Sequence, residues 1–577
     1  MSGAEVRERA IDRALERWVR LRSGSARLAA AAYLVSRDEG EGHSCARLDG
    51  EAGFDGAGLE ELRAHSWVGD GSSFSPFVLR GDGSFYSWRN WRHETCLAAA
   101  LRARAAARSA PVGRDVLQAD IEELFAGVDP SASKRQREAV AAAPGSHLLV
   151  VTGGAGTGKT TTVLRVMLEL LRRAEECELP RRPAIALAAP TGKAAQRLGE
   201  AFGRGRKALL ESLPAESAFR RLLDTLADTR AQTLHRLLHY NPHDGSFAHG
   251  AESPLPADIV VVDETSMIDL AMMRQLAEAV RPQAVLILLG DPGQLYAVEA
   301  GSVLGDIAAA ARESSPLHGA VIELDQVWRS GGRLQEGITA LRRSDAEFIA
   351  EHLKDDSDGG LRWRDIAKPA ELREQTAAWL DRHAQALAGM VRPGVDAGTA
   401  LDALRSMQIL CALREGAFGA GGMNATVTRL LAERHGFDAE REWYHGRPVI
   451  IRRNDYARDL YNGDVGIALE GAEGLRVWFE VRDRGGNPEL RDLSVRTLPE
   501  HETAWAITIH RSQGSEYGDV AVVLPPDPAN RVLSRELLYT AVSRAMRGAE
   551  VWASSDALRA ATQRAVRRRG GLRERLR

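Results

Sequence analysis

Between residues 130 and 330 the chain alternates short apolar runs with longer amphipathic segments. The apolar runs read HLLVVTG, AIALAAP, DIVVVDE and AVLILLGD. Runs that are apolar at every position predict strands buried on both faces, as in a parallel sheet covered by helices. Each run ends in a glycine, a proline or an acidic residue, and such sheets carry their chemistry at the carboxyl ends of the strands. We therefore predict an α/β domain over residues 116–330.

A second α/β domain is predicted after residue 330. Residues 331–435 are helical in pattern around one strand, SMQILCAL, and the α/β rhythm returns over residues 501–577. Residues 436–500 between these two parts consist of short strands and turns, which predict a small β-barrel of the SH3-like type inserted into the domain. The basic end of the chain, RAVRRRGGLRERLR, is expected to be a solvated helix end or a frayed tail.

Residues 1–115 predict a separate, mainly helical N-terminal domain. Apolar residues recur at helical spacing near the start of the chain. The stretch from Ser75 to Glu94 predicts a hairpin turning at Gly81-Asp82-Gly83, and a helix is expected to follow to about Ala107. We expect this domain to dock onto a partner, because it contains no catalytic motif of its own.

Composition is that of an ordinary globular protein with 577 residues and a formal net charge of −3. The four cysteines are far apart and show no paired spacing, which predicts free thiols and a cytoplasmic location. No apolar run approaches the length of a membrane span, and no signal-peptide pattern opens the chain, so we expect no membrane association.

The segment VVTGGAGTGKTTT has the spacing of a phosphate-binding loop, which connects a strand to a helix and wraps backbone N–H groups around a triphosphate. Lys159 is predicted to reach the β- and γ-oxygens of ATP, and the Thr160 hydroxyl to be a ligand of Mg²⁺. The predicted nucleotide-binding residues of this loop are Gly153, Gly154, Ala155, Gly156, Thr157, Gly158, Lys159, Thr160 and Thr161.

Further candidate catalytic residues follow other predicted strands. Asp263 is expected to hold Mg²⁺, and Glu264 to orient or deprotonate the attacking water. Gln294 follows the next strand and is expected near the γ-phosphate. Arg329 and Arg544 are candidates for the positive charge that phosphoryl transfer requires, and their positions predict a site that closes between two domains.

These segments, in their order along about 440 residues, resemble the superfamily 1 helicases and, within them, the RecD branch that moves 5′ to 3′. The motifs that carry this resemblance include the phosphate loop, APTGKAAQRL, VVVDETSM, GDPGQL, TIHRSQGSEYGDV and YTAVSRA. By this resemblance Gln136 reads the adenine. The N-terminal segment is similar to that of RecD subunits of RecBCD-type enzymes (exonuclease V), which implies RecB-like and RecC-like partners, DNA end processing and double-strand break repair.

The resemblance also implies contacts to single-stranded DNA through phosphates rather than bases. Arg511 departs from the family pattern, which usually has lysine there. Two alternatives stay open: a free-standing RecD-like 5′-to-3′ helicase, and a nucleotide-gated DNA-binding scaffold that does not step. The predicted DNA-binding residues are Thr191, His235, Asn454, Asn462, Thr508 and His510.

Overall fold

The computed structural model describes residues 9–107, 113–178, 181–227, 229–313, 315–328, 332–343, 360–455, 458, 460–471, 474–482 and 488–577. The first region combines helices with a small sheet in the order β1-β4-β3-β2. Its elements are α1 Ala10–Ser23, α2 Ala26–Gly40, β1 Ala46–Arg47, α3 Gly56–Arg63, β2 Val68–Gly69, β3 Phe77–Leu79, β4 Ser84–Ser87 and α4 Trp88–Ala106.

The predicted hairpin is present, but its second strand is shorter than expected. Strands β3 and β4 pair in antiparallel fashion, and Gly83 turns the chain between them with φ of +79°. The chain becomes helical at Trp88, so the prediction that the strand extends to Glu94 is wrong. The alanine-rich segment after Trp88 favours a helix, and burial of Glu94 on α4 fixes it against another part of the chain.

The first α/β unit is a sheet whose described strands run parallel in the order β10-β5-β9-β8-β6-β7. The four apolar runs form β5, β6, β8 and β9, as predicted. The elements are α5 Arg114–Leu124, α6 Lys134–Ala142, β5 Leu148–Gly153, α7 Lys159–Glu176, β6 Ile185–Ala189, α8 Gly192–Ser212, α9 Ala218–Thr225, β7 Ala231–Thr233, α10 Leu234–Leu237, β8 Ile259–Val262, α11 Leu270–Ala279, β9 Val285–Gly290, α12 Val303–Ala311 and β10 Val321–Leu324.

The second α/β unit has described strands that are also parallel, in the order β11-β20-β19-β12-β18. Both units therefore bury their central strands between layers of helices. The elements are α13 Arg333–Arg343, β11 Leu361–Asp365, α14 Pro369–Arg382, α15 Ala384–Val391, α16 Ala397–Ser406, β12 Met407–Cys411, α17 Ala420–His435, β18 Ala506–Thr508, β19 Tyr517–Val523, α18 Arg535–Val542, β20 Ala545–Ala553, α19 Ser555–Gln563 and α20 Leu572–Leu576.

The segment inserted into the second unit is an antiparallel sheet in the order β16-β15-β14-β13-β17. Among the described residues its edge strands β16 and β17 are not paired with each other, so the predicted closed barrel is not confirmed. The domain boundaries proposed from the sequence likewise stay predictions. The strands of the insert are β13 Pro448–Ile451, β14 Val465–Gly471, β15 Gly474–Arg482, β16 Pro488–Ser494 and β17 His501–Thr503.

The basic end of the chain is docked, contrary to the expectation of a solvated or frayed tail. Leu572 and Leu576 are buried in the same apolar core as strands of the first unit. The Arg569 guanidinium lies 2.8 Å from an Asp38 carboxylate oxygen, and the Gly571 N–H donates to Glu94 at 3.0 Å. The arginines of the tail therefore pair with buried acids of the N-terminal region, which the charge pattern alone did not reveal.

Candidate active site between the two parallel sheets

The phosphate loop lies between β5 and α7 with the conformation its glycines allow. Gly156 and Gly158 have φ of +77° and +79°, a region of backbone space that side chains with a Cβ rarely occupy. The Lys159 ammonium donates to the Gly153 and Gly154 carbonyl oxygens at 2.9 and 3.0 Å. Its charge therefore sits at the mouth of the loop, where the oxygens of a bound triphosphate would replace these carbonyls.

The remaining loop residues are placed as a phosphate cradle requires. Thr157 is buried, and its hydroxyl donates to the Gly154 carbonyl at 2.9 Å, which holds the loop closed. Thr160 is half-buried at the start of α7, while Thr161 is exposed and Ala155 half-buried. Because α7 begins at Lys159, its unpaired N–H groups face the same space as the lysine.

Gln136 and Trp328 lie on the other side of the loop. The Gln136 amide donates to the Thr157 carbonyl at 3.2 Å, and the Trp328 backbone N–H donates to the Gly156 carbonyl at 2.9 Å. The Trp328 ring remains 44% exposed. Trp328 was not among the predicted site residues, although its position one residue before Arg329 could have drawn attention to it.

The predicted acidic pair follows β8. The Glu264 N–H donates to an Asp263 carboxylate oxygen at 2.7 Å. Burial, reinforced by the neighbouring Glu264 charge, raises the pKa of Asp263 to about 6, and the Lys159 charge opposes this shift. Glu264 has φ of +52°, an uncommon conformation for a residue with a side chain and one that tends to occur at functional sites.

Gln294 lies in the turn that follows β9. Its backbone N–H donates to the Asp291 carbonyl at 3.1 Å, and its side chain is buried. Among the described residues, the Gln294 side-chain oxygen Oε1 has no hydrogen-bond partner. A buried amide oxygen without a partner is costly, so this atom is available to a further hydrogen-bond donor.

The second α/β unit closes over this turn. The Thr540 hydroxyl oxygen accepts a hydrogen bond from the Leu295 N–H at 2.9 Å, and the Gln513 amide donates to the Leu295 carbonyl at 3.2 Å. Arg544 is buried on the same side, where its guanidinium donates to the Thr540 and Ser515 carbonyls at 3.2 Å each. Arg329, the other predicted arginine, lies outside the described residues.

Some of the predicted DNA-binding residues meet at the junction of the first unit and the insert. The Thr191 hydroxyl caps α8 by accepting from the Ala194 N–H at 3.2 Å. A Cβ atom placed on the adjacent Gly192 would lie 2.8 Å from the Tyr461 side chain. Arg236 also donates to the Tyr461 hydroxyl at 3.3 Å, so the loop after β13 packs against this edge of the first unit.

The other predicted DNA-binding residues lie on α10, in the insert and around the end of β18. His235 is exposed and lies edge-on to the Tyr240 ring with their centroids 5.1 Å apart. The Asn454 side-chain oxygen accepts from the Asn462 N–H at 2.8 Å, so this pair shapes a turn of the insert. Thr508 ends β18 and is half-buried, whereas His510 is exposed.

Arg511, the departure from the family pattern, forms an ion pair with Glu502 of β17. The arginine therefore joins the insert to the segment that carries Thr508 and His510. Of the predicted residues outside the phosphate loop, Gln136 donates a hydrogen bond to the loop, at the Thr157 carbonyl.

Two family models match this chain. Residues 136–300 match an AAA domain, and residues 503–549 match a UvrD-like helicase C-terminal domain. With a phosphate loop in the first parallel sheet and the helicase motif in the second, the fold and the site define a helicase of the P-loop class. Within the described residues, no helix has the length and apolarity that crossing a bilayer demands.

The relatives narrow this class to one family. The RecBCD enzyme subunit RecD of Mycobacterium tuberculosis is 40% identical over 86% of this chain and 81% of its own length. The ATP-dependent RecD2 DNA helicase of Deinococcus radiodurans is 33% identical over 72% of this chain and 48% of its own length. The chain belongs to the RecD family.

Among solved structures, the Bacteroides Pif1 helicase in complex with ADP-AlF3 and single-stranded DNA is similar at 16% identity. The match covers 70% of this chain and 88% of that one, with a TM-score of 0.36.

Proposed function

We propose that the chain is an ATP-driven helicase that moves 5′ to 3′ along single-stranded DNA, as the motor subunit of a RecBCD-type complex that processes DNA ends in double-strand break repair. The observation that carries the proposal is the convergence of the phosphate loop, the acidic pair and Gln294 at one edge of the first sheet, with the second unit hydrogen-bonded to the turn that holds Gln294. A nucleotide at this edge would touch both units, which is what a motor needs.

The residues present fit ATP and Mg²⁺. The Lys159 ammonium and the positive-φ glycines of the loop lie at the carboxyl end of β5, and Gln294 follows the neighbouring strand β9. Thr160 and Asp263 would hold Mg²⁺, which supplies charge neutralisation on the β- and γ-oxygens when bound. Glu264 follows Asp263 directly and is placed to accept a proton from the attacking water.

The base of the nucleotide would lie by Gln136 and Trp328. Gln136 offers an amide that can both donate and accept, as recognition of the adenine edge requires. Trp328 is anchored to the phosphate loop through its backbone and keeps a partly exposed ring, on which a base can stack. Trp328 is thus our addition to the nucleotide-binding residues predicted from the sequence.

Arg544 would supply charge to the transferred phosphoryl group. It lies one helical turn beyond Tyr539 and Thr540, which contact the turn after β9. We infer that closure of the cleft exchanges its bonds to the Thr540 and Ser515 carbonyls for bonds to phosphate. A role of Arg329 at the transferred phosphoryl group is supported by its sequence motif and by its place in the sequence next to Trp328.

Single-stranded DNA would cross the face formed by the first unit, the insert and the end of β18. This path is lined by Thr191, His235, Asn454, Asn462, Thr508 and His510, whose hydroxyl, imidazole and amide groups suit phosphate contacts without base reading. Packing of Gly192 against Tyr461 supports the path, because it joins the insert to the first unit at this point.

RecB-like and RecC-like chains are the proposed partners. The face of α1 supports docking, since Ile11, Trp18 and Leu21 are 64%, 53% and 85% exposed on one short helix. The alternative of a free-standing helicase is suggested by the name of the RecD2 DNA helicase of Deinococcus radiodurans. The match to this chain covers only 48% of that helicase, whereas it covers 81% of the RecD subunit of Mycobacterium tuberculosis. We therefore favour the subunit.

The test is steady-state ATP hydrolysis by the purified chain, with and without a single-stranded oligonucleotide. We expect the oligonucleotide to raise kcat severalfold. ATP turnover that ignores DNA would contradict the motor, and DNA binding without turnover would favour the scaffold alternative.

A further inference from the structure

The second unit holds the turn Asp291–Leu295 of the first unit through three hydrogen bonds. Both backbone groups of Leu295 bond to side chains of the second unit, Thr540 and Gln513. A third bond joins the Tyr539 hydroxyl to an Asp291 carboxylate oxygen at 2.6 Å. The turn therefore cannot move without either carrying the second unit along or breaking buried hydrogen bonds.

The two oxygens of Asp291 have different partners. Oδ1 accepts from the Gly293 N–H at 3.0 Å and so shapes the turn that ends in Gln294. Oδ2 accepts from Tyr539, and both residues are fully buried. Burial, together with the carboxylate charge, keeps the pKa of Tyr539 well above its ordinary value, so its hydroxyl remains a donor.

Tyr539 also reaches the phosphate loop. A Cβ atom placed on Gly154 would lie 3.1 Å from the Tyr539 hydroxyl oxygen and 3.8 Å from a guanidinium nitrogen of Arg342. Gly154 is the same residue whose carbonyl accepts from the Lys159 ammonium. The hydroxyl is thus next to the part of the loop that would hold the β- and γ-phosphates.

Arg342 on α13 completes the arrangement from the second unit. Its guanidinium lies 2.8 Å from Glu323 of β10 and 4.0 Å from Asp291. Glu323 and Asp291 both belong to the first unit. Arg342 therefore places positive charge beside the Asp291 carboxylate, but at 4.0 Å it does not donate a hydrogen bond to it. That bond comes from Tyr539.

We propose that Tyr539 is a positioning residue for ATP hydrolysis, whose hydroxyl holds Asp291, and through it the Gln294 turn, against the phosphate loop. Tyr539 acts through Asp291 and does not touch the reacting atoms. Its hydroxyl links three parts, namely the phosphate loop, the turn that carries Gln294 and the helix α18, which ends two residues before Arg544. The proposal rests on the ATPase activity proposed above.

The first test is Tyr539→Phe, which removes only the hydroxyl. We expect kcat for ATP to fall about tenfold, which corresponds to about 1.4 kcal/mol, with the KM for ATP changed less than about twofold. Tyr444→Phe is the matched control, because Tyr444 is also buried in the second unit and its hydroxyl accepts from the Trp505 indole at 2.8 Å, away from the loop. An unchanged kcat in Tyr539→Phe, or an equal loss in Tyr444→Phe, would overturn the proposal.

The second test combines Tyr539→Phe with Asp291→Asn. If Tyr539 acts through Asp291, the kcat of the double variant should be about equal to that of the slower single variant. Losses of kcat that multiply would show that the residues act independently, and so would contradict positioning through Asp291.

A third measurement does not depend on turnover. Hydrogen–deuterium exchange of the peptide covering residues 291–296 should rise in Tyr539→Phe and stay unchanged in Tyr444→Phe. If the wild-type chain fails to hydrolyse ATP, the proposed function fails while this exchange still tests the hydrogen bond. Unchanged exchange in Tyr539→Phe would overturn the proposal on its own.

Discussion

The loops that follow β5 and β12 show how the two α/β units differ. Both connect a buried parallel strand to a helix, and both contain glycines. After β5 the helix begins at Lys159, and its N-cap Gly158 has φ of +79°. After β12 the helix begins at Ala420, and its N-cap Gly419 is extended with φ of −96°.

The comparison shows that two similar strand–loop–helix segments can have different functions. The first loop carries a lysine and the left-handed glycine that a phosphate cradle needs. The second loop has no lysine, and its left-handed glycine, Gly416 with φ of +87°, lies three residues before the N-cap. The second unit instead presents Tyr539 and Thr540 from α18 to the turn after β9 of the first unit, with Arg544 just beyond this helix. We infer that one unit binds the triphosphate and the other responds to it.

The largest effect should come from removing the charge that distinguishes the first loop. Lys159→Gln should lower kcat for ATP by about a thousandfold or more, because the lysine stabilises charge on the transferred group. Binding of a labelled single strand should be retained, since the proposed DNA path lies elsewhere. Lys207→Gln, an exposed position on α8, serves as the control. ATP turnover at the wild-type rate in Lys159→Gln would contradict the functional difference that we infer between the two loops.

A smaller loss is expected for the general base. Glu264→Gln keeps the size of the side chain but cannot accept the proton of water, so kcat should fall about a hundredfold or more. The Kd for ATP should change little, which separates this variant from Lys159→Gln. A glutamine variant that hydrolyses ATP at the wild-type rate would assign water activation to another residue. Fluorescent-nucleotide binding and steady-state kinetics measure the two quantities.

The docked tail provides a test of how the two units are held together. Leu576→Ala should lower the free energy of unfolding by about 2–5 kcal/mol, because the side chain is buried in the core of the first unit. Urea denaturation measures the change. Leu490→Ala, on an exposed strand of the insert, should cost less than about 0.5 kcal/mol. Equal stability of the two variants would mean that the tail is not anchored in solution.

The smallest effect on ATP turnover is expected at the exposed face of α1. Leu21→Asp should leave kcat unchanged and weaken binding of a RecC-like partner about tenfold or more, since it places a charge in an apolar interface. Co-expression followed by size-exclusion chromatography, with Arg22→Asp as the neighbouring control, measures the loss. Full co-purification of Leu21→Asp would place the docking surface elsewhere.

Local signals in the sequence were sufficient for much of this picture. Continuous apolar runs predicted β5, β6, β8 and β9, and the spacing of the phosphate loop predicted the position of Lys159. These features depend on residues close together in the chain, where patterning and motif spacing act directly. Asp263, Glu264 and Gln294 were predicted for the same reason, since the acidic pair follows β8 and Gln294 lies in the turn after β9.

Contacts between residues far apart in the chain could not be predicted from the sequence. The bond between Tyr539 and Asp291 joins residues 248 positions apart, and burial of Leu576 against the first unit depends on how the tail crosses the molecule. The length of β4 was overestimated because aromatic residues continue past Ser87 into a helix. In the first two cases tertiary packing decided the outcome, whereas α4 begins where the alanine-rich segment itself favours a helix.

The central claim is that ATP hydrolysis in the first unit drives 5′-to-3′ movement on single-stranded DNA. The most direct measurement is displacement of a short labelled strand from duplexes with a 5′ tail or a 3′ tail, with ATP and Mg²⁺, using the chain co-expressed with RecB-like and RecC-like partners. We predict displacement from the 5′-tailed duplex, lost in Lys159→Gln of this chain. Displacement only from the 3′-tailed duplex, or displacement indifferent to Lys159→Gln, would contradict the account.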